Sequence, residues 1–164
     1  MPFLDRLPGP LRICQGSLLL ARSMVVIWLA AVFVATIPRT AAAVVRIKDD
    51  RGGNIGAYWF RYSALRDTGE QVIIDGTCSS ACTMVLGIVP HDRICVTQNA
   101  QLGFHAAWRP GFLGIKVINE PATRTLLSFY PDPIRQWIAR NGGLDTEMMY
   151  LSGPELLAMY RECR

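Results

Sequence analysis

From Val44 onward the chain alternates short apolar runs with polar breaks. Val44-Val45-Arg46-Ile47 reads as a strand that ends in a polar stretch and the pair Gly52-Gly53. Residues 55–66 then change period. Ile55, Trp59, Tyr62 and Leu65 recur at helical spacing, and Thr68-Gly69 stops the helix. Residues 71–74 return to a strand carrying Val72-Ile73-Ile74, and residues 81–89 form an apolar run that predicts a buried helix. A tight turn with two serines and two cysteines is expected between them. Pro90-His91-Asp92-Arg93 reads as a turn, Ile94-Cys95-Val96 and residues 102–105 as strands, and residues 106–114 as a loop rich in Trp, Arg, Pro and Gly. Helices are predicted over 123–129, 134–140 and 154–160. Pro131-Asp132-Pro133 separates the first two, and Asn141-Gly142-Gly143 ends the second. This succession of strands and helices predicts an α/β fold with a mostly parallel sheet flanked by helices. No internal repeat or low-complexity segment interrupts it.

The segment before Val44 has another character. Residues 24–37 are apolar and uncharged, with Arg22 before them and Ala41-Ala42-Ala43 after them. A charge, an apolar core and small residues in an A-x-A arrangement are the parts of a secretory signal. At about 14 residues the core is short against the roughly 20 that span a bilayer. Residues 1–43 are therefore expected to be a signal peptide, and residues 44–164 the working domain, periplasmic or secreted. The alternative is a signal anchor that holds the domain to the inner membrane through residues 24–37. The whole chain has 17 Lys+Arg and 13 Asp+Glu. Arg6, Arg12, Arg22 and Arg39 lie in the leader with Asp5, which leaves the domain near neutral at +1. No basic stripe interleaved with aromatics remains in the domain, so nucleic acid is not an expected partner.

Candidate chemistry centres on Cys78-Ser79-Ser80-Ala81-Cys82. A serine between a strand and the start of a buried helix lies beside unpaired backbone N–H groups, which could hold an oxyanion. Read alone, Ser79 or Ser80 is better explained as a helix cap. Two other segments shift that balance. Gly103-Phe104-His105 ends in a histidine 25 residues after Ser80, and the Gly52-Gly53 pair ends 27 residues before it. A glycine pair after a strand permits close backbone approach and turns amides outward.

With these three segments the chain resembles the ClpP/crotonase superfamily, and more narrowly its small ClpP-like periplasmic proteins. The likeness extends over about residues 44–160 and rests on spacing as much as on motif. It implies Ser80 as nucleophile, His105 as general base, and the backbone amides of Gly52 and Ala81 as oxyanion donors. Asp145-Thr146-Glu147, followed by Leu151-Ser152-Gly153-Pro154-Glu155, resembles the family's terminal acidic stretch. Asp145 is thereby the expected third member and Glu147 its substitute, although Asp145 stands about one residue closer to Leu151-Ser152 than the family pattern has it. Arg51 occupies a position where that pattern usually has proline. Phe104, Trp108 and Arg109 are candidates to line a substrate groove, and His91 is expected to be solvated.

The likeness implies a serine hydrolase, with a peptide or small acyl substrate and no cofactor. Further copies of the chain are a partner left open at this point. A membrane enters only through the N-terminal segment. Two other classes are kept: a catalytically silent envelope module of the same fold, and an acyl-CoA enzyme that uses paired amides without Ser80. Export disfavours the second, because coenzyme A substrates are cytoplasmic. Cysteine usage agrees with export. Cys78, Cys82, Cys95 and Cys163 are an even set behind the signal. Of three pairings, Cys78–Cys82 with Cys95–Cys163 is favoured, the first stiffening the serine turn and the second tying the tail to the sheet. A zinc site is the rival, weakened by marginal spacing and only two histidines.

Overall fold

The computed structural model describes residues 43–163. Residues 1–42 of the expected signal segment lie outside the described residues.

The domain is α/β, with a mainly parallel sheet flanked by helices. Strand β1 (Val44–Asp50) leads through Gly52-Gly53 into helix α1 (Ile55–Thr68). Asn54 starts α1 by accepting from the Ala57 amide, and Gly69 ends it in the left-handed region at φ 80°. The chain returns as β2 (Gln71–Ser79), parallel to β1. A 3₁₀ turn (Ser80–Met84) and a single α-turn, α2 (Val85–Ile88), follow. Next come β3 (Ile94–Val96) and β4 (Gln101–Phe104), which occupy one edge of β2 in succession. The first pairs with Val72 to Ile74 and the second with Thr77 to Ser79, both parallel. A hairpin of β5 (Trp108–Pro110) and β6 (Lys116–Ile118) stands apart as its own small sheet. Helices α3 (Glu120–Phe129) and α4 (Asp132–Arg140) lead to β7 (Met149–Ser152), which joins β4 antiparallel, and α5 (Gly153–Met159) closes the domain.

Alternation along β2 tells which face carries the core. Val72, Ile74 and Cys78 are fully buried, while Ile73, Asp75 and Thr77 are half-buried. Ile47, Leu102, Phe104 and Leu151 join the buried set from neighbouring strands. The helices supply Tyr62, Leu86, Leu126, Ile134, Trp137 and Leu156. At roughly 1.5–3 kcal/mol for each fully buried large side chain, this cluster is the main source of stability. Helix α2 approaches α3 so closely that a methyl group on Gly87 would overlap the Phe129 carbonyl. On the opposite face Asp75 is a polar knot. It accepts from Thr97 Oγ1 and Arg46 Nη1, each at 2.8 Å, and from Asn99 Nδ2 at 3.4 Å. The Thr97 hydrogen bond, then that of Arg46, holds its carboxyl below the usual carboxylate range.

Both favoured disulfides are present. Cys78 and Cys82 have Cα atoms 5.3 Å apart, and Cys95 and Cys163 have theirs 5.1 Å apart. The pairs suit an oxidising, extracytoplasmic environment and take up the thiolates that a zinc site would need. Among the described residues no helix is long and apolar enough to cross a membrane.

Several elements differ from the sequence reading. Strand β2 runs through Ser79, so Cys78 and Ser79 are strand residues and the expected tight turn is confined to Ser80. The helix expected over 81–89 begins as a 3₁₀ turn, in which the Thr83 hydroxyl takes the Ser80 carbonyl at 2.6 Å. The expected loop over 106–114 contains β5, which closes on β6 through a turn where Gly111 N donates to Ile115 O at 2.8 Å. Strand β7 was not anticipated at all.

Candidate functional site

Register builds the site. Asp50 pairs with Cys78 across β1 and β2, so the glycine turn after β1 comes level with the residues after Cys78. Ser79 pairs with Gly103 across β2 and β4. Ser80 therefore leaves its strand beside the segment Phe104-His105. Three strand ends meet at the carboxyl edge of a parallel sheet, where open α/β folds place their ligands. A pocket of about 480 Å³ opens there, with Gly52, Gly53, Ser80, His105, Trp108 and Asn119 in its wall.

Ser80 is held in an uncommon backbone conformation. Its φ of 56° makes it one of two non-glycine residues in the left-handed region among those described. A non-glycine residue pays roughly 1–2 kcal/mol to stay there. The surroundings hold it from three sides. Its carbonyl accepts from Thr83 Oγ1, and that hydroxyl in turn accepts from buried Tyr130 at 2.7 Å. The Cys78–Cys82 bridge spans the turn. Gly52 presses on it directly. A methyl group on Gly52 would lie 2.4 Å from the Ser79 carbonyl oxygen, 2.7 Å from Ser80 Cβ and 2.8 Å from Ala81 N. At φ 79°, Gly52 also needs the conformational freedom of glycine.

The two serines face different ways. Ser79 is 4% exposed, and its buried hydroxyl has no hydrogen-bond partner among the described residues. It packs against Gly103 and lines a second pocket with Asp49 and Thr77. Ser80 lines the pocket that holds His105.

His105 lies just past β4. Its Nδ1 is 2.6 Å from the Ala106 carbonyl. A carbonyl oxygen can only accept, so Nδ1 carries a proton, and in the neutral ring the lone pair lies on Nε2. That is the tautomer a general base requires. Among the described residues no hydrogen bond joins Ser80 Oγ to the imidazole. Asp145 is nearby by backbone only. Its carbonyl accepts from Ala106 N at 2.6 Å, while its carboxylate accepts from the Thr146 amide. The orienting bond expected from Asp145 thus comes from the Ala106 carbonyl. Glu147 makes no bond to His105 either.

The amide donors are also distributed differently from expectation. Gly52 N donates to Asp50 Oδ1 at 2.9 Å, which engages the donor expected to face an oxyanion. Gly53 N has no partner among the described residues, and Gly53 lines the pocket. Ala81 N is one of the first amides of the 3₁₀ turn, a position with no intrahelical acceptor. Gly53 and Ala81, in place of Gly52 and Ala81, are thus the amides of these two turns left unengaged among the described residues, Gly53 in the pocket wall and Ala81 buried next to Ser80. Asp50 is the hub of the glycine turn. It accepts from Gly52, from the Tyr58 hydroxyl and, at 3.2 Å, from Arg61 Nη1. Burial, and then the Asp50 hydrogen bond, pushes the Tyr58 phenol up to about 12.

Other candidates resolve simply. Phe104 is fully buried, with its ring edge-on to Tyr130 at 5.2 Å, so it belongs to the core and not to a groove. Trp108 does line the pocket and carries the Lys116 ammonium 5.3 Å from its ring centre. Arg109 is exposed on the hairpin, outside the pocket wall. His91 is exposed, as expected, with its Nε2 2.9 Å from the Met159 carbonyl and its ring tilted against Tyr160.

Sequence reasoning missed Asp50, Asn54, Asn119 and the Thr83–Tyr130 pair. A signal for Asp50 was present, since an aspartate two residues before a glycine commonly caps a turn amide. Asn54 and Asn119 each precede a helix, the usual place for a capping asparagine. Thr83 and Tyr130 are 47 residues apart and gave no local signal. Compared with known proteins, the chain matches no family model and no curated sequence.

Proposed function

We propose that this domain is an exported, periplasmic serine hydrolase of the ClpP-like kind, acting on peptide or small acyl substrates. The observation that carries the reading is Ser80. A serine kept in the left-handed region at the end of a parallel strand, in a pocket shared with a histidine of fixed tautomer, has a conformational cost that a structural role does not explain. Hydrolases with a strained strand-to-helix turn use the same device to expose their nucleophile.

In the proposed reaction Ser80 Oγ attacks the substrate carbonyl while His105 Nε2 takes its proton. The oxyanion is received by Gly53 and Ala81 amides. The imidazolium then returns the proton to the leaving group, and water releases the acyl group by the same path. The Ser80–His105 bond would tighten only on substrate binding, as catalytic hydrogen bonds often do. The absence of that bond in the free protein is the one observation that favours the second reading, a catalytically silent envelope module.

A neutral fluorophosphonate probe separates the two. Oxidised, folded protein should be labelled at Ser80, Ser80→Ala should abolish the labelling, and Ser79→Ala should leave it near the parent level. His105→Ala should slow it by orders of magnitude, since loss of one triad member can reduce turnover about 10⁶-fold. Folded protein that resists the probe would establish the silent reading.

A further inference from the structure

We propose that Arg51 makes the Ser80 pocket selective for substrates that carry a carboxylate. The inference deepens the hydrolase reading and rests on it.

The pocket wall contains no aspartate or glutamate, and Arg51 supplies its one formal charge. The acids nearest in sequence make no ion pair with Arg51 among the described residues. Asp50 is held by Gly52, Tyr58 and Arg61. Asp49 lines the second pocket, whose wall Arg51 also joins, but makes no ion pair with that arginine, and Glu120 is exposed, 4.0 Å from Arg124. Arg51 itself takes part in none of the ion pairs among the described residues. A guanidinium at a pocket rim without a carboxylate partner is suited to take one from a ligand, through two parallel hydrogen bonds.

The polar groups deeper in the wall agree in sign. Asn54 and Asn119 each commit their side-chain oxygen to a helix start, accepting from Ala57 N at 3.0 Å and Ala122 N at 3.3 Å. Capping fixes which way each amide is turned, so the group left over in both is an N–H₂ donor. Both residues line the pocket. With Gly53 also in the wall, the site gathers several donors and no carboxylate. A cationic substrate would meet no counter-charge there, whereas a carboxylate would meet a guanidinium and amide donors. The carboxylate has two sources, an acidic side chain or a free peptide C-terminus, and both present the same planar anion.

The test uses four fluorescent hexapeptides that carry either Glu or Gln at one internal position and either a free or an amidated C-terminus. Affinity is read by anisotropy on oxidised Ser80→Ala, and kcat/KM on the parent. The expected result is a roughly tenfold preference for the peptide bearing the recognised carboxylate, weakening as salt rises. The Glu/Gln and acid/amide arms show which source is read. Arg51→Ala should bring that ratio close to one, and Arg51→Lys should keep part of it. Equal affinity for all four peptides overturns the inference, as does a preference that survives Arg51→Ala. Failure of the parent to react with the neutral fluorophosphonate is a separate result. It removes the hydrolase reading, while carboxylate binding to Ser80→Ala is still read directly.

Discussion

Ser80 and Gly52 meet at the tightest point of the domain, and each has a testable consequence. Ser80→Gly removes the left-handed penalty but adds unfolded-chain entropy, so a net gain of about 0.5–1 kcal/mol is expected, with loss of any hydrolase activity. Ser80→Ala keeps the Cβ and the penalty, so its stability should stay within about 0.5 kcal/mol of the parent. Urea denaturation of the three proteins checks this, and equal midpoints would remove the strain argument. Gly52→Ala has to place a methyl group 2.4 Å from the Ser79 carbonyl at φ 79°. A loss of about 2–4 kcal/mol is expected, because backbone cannot yield as a side chain can. At this scale the sequence was most readable where spacing constrained it. Ser80 and His105 lie where their strand registers put them. Asp145 illustrates the limit, since its backbone reaches Ala106 but its carboxylate turns to Thr146. Which way that carboxylate turns is a tertiary matter that no periodicity encodes.

Among the elements, the 3₁₀ turn after β2 depends on distant support. Tyr130, at the end of α3, donates to Thr83, whose own hydroxyl holds the Ser80 carbonyl. Tyr130→Phe should lower stability by about 1 kcal/mol, the usual net value of one buried hydrogen bond. It should also slow fluorophosphonate labelling of Ser80 more than that loss predicts, because the turn is no longer held. Unchanged labelling would make Tyr130 a packing residue only. The buried core of β2 was legible from its apolar run, and α1 from its bounds, although Tyr62 alone in α1 is buried and Trp59, expected on its apolar face, is exposed. Elements that were not legible have identifiable reasons. The hairpin exposes Phe112 and Leu113 at 84% each, so its apolar residues mark no buried face. Strand β7 is short, and only Leu151 in it is buried. Its strand character comes from pairing with β4, which is a tertiary effect.

On the scale of the whole domain, the two cross-links and the buried phenols set the response to redox and pH. The four cysteines should show no free thiol under denaturing, non-reducing conditions. Opening Cys95–Cys163 through a Cys95→Ala and Cys163→Ala double variant should lower stability by about 2–4 kcal/mol, since the bridge joins residues 68 apart. Alkaline pH should act through tyrosine. Burial pushes Tyr130 up to about 12 and raises Tyr62 and Tyr160 further, while burial and then Asp50 raise Tyr58 to about 12. In the unfolded chain these phenols ionise near 10. Their neutral forms are therefore favoured by folding, and the stability they contribute is complete below pH 10. It falls as pH rises from 10 towards the folded values, by about 1.4 kcal/mol per pH unit for each fully buried phenol that the unfolded state ionises first. Tyr58, partly open to solvent, should weigh least. Urea midpoints between pH 8 and 11.5 should be flat up to about 10 and then drop. Phenolate absorbance from the buried tyrosines should rise together with unfolding, not before it. Tyr160→Phe, whose buried hydroxyl has no partner among the described residues, should make that drop shallower without lowering stability at pH 8. Phenolate appearing near pH 10 in protein that is still folded would show that these rings are not sealed in the core.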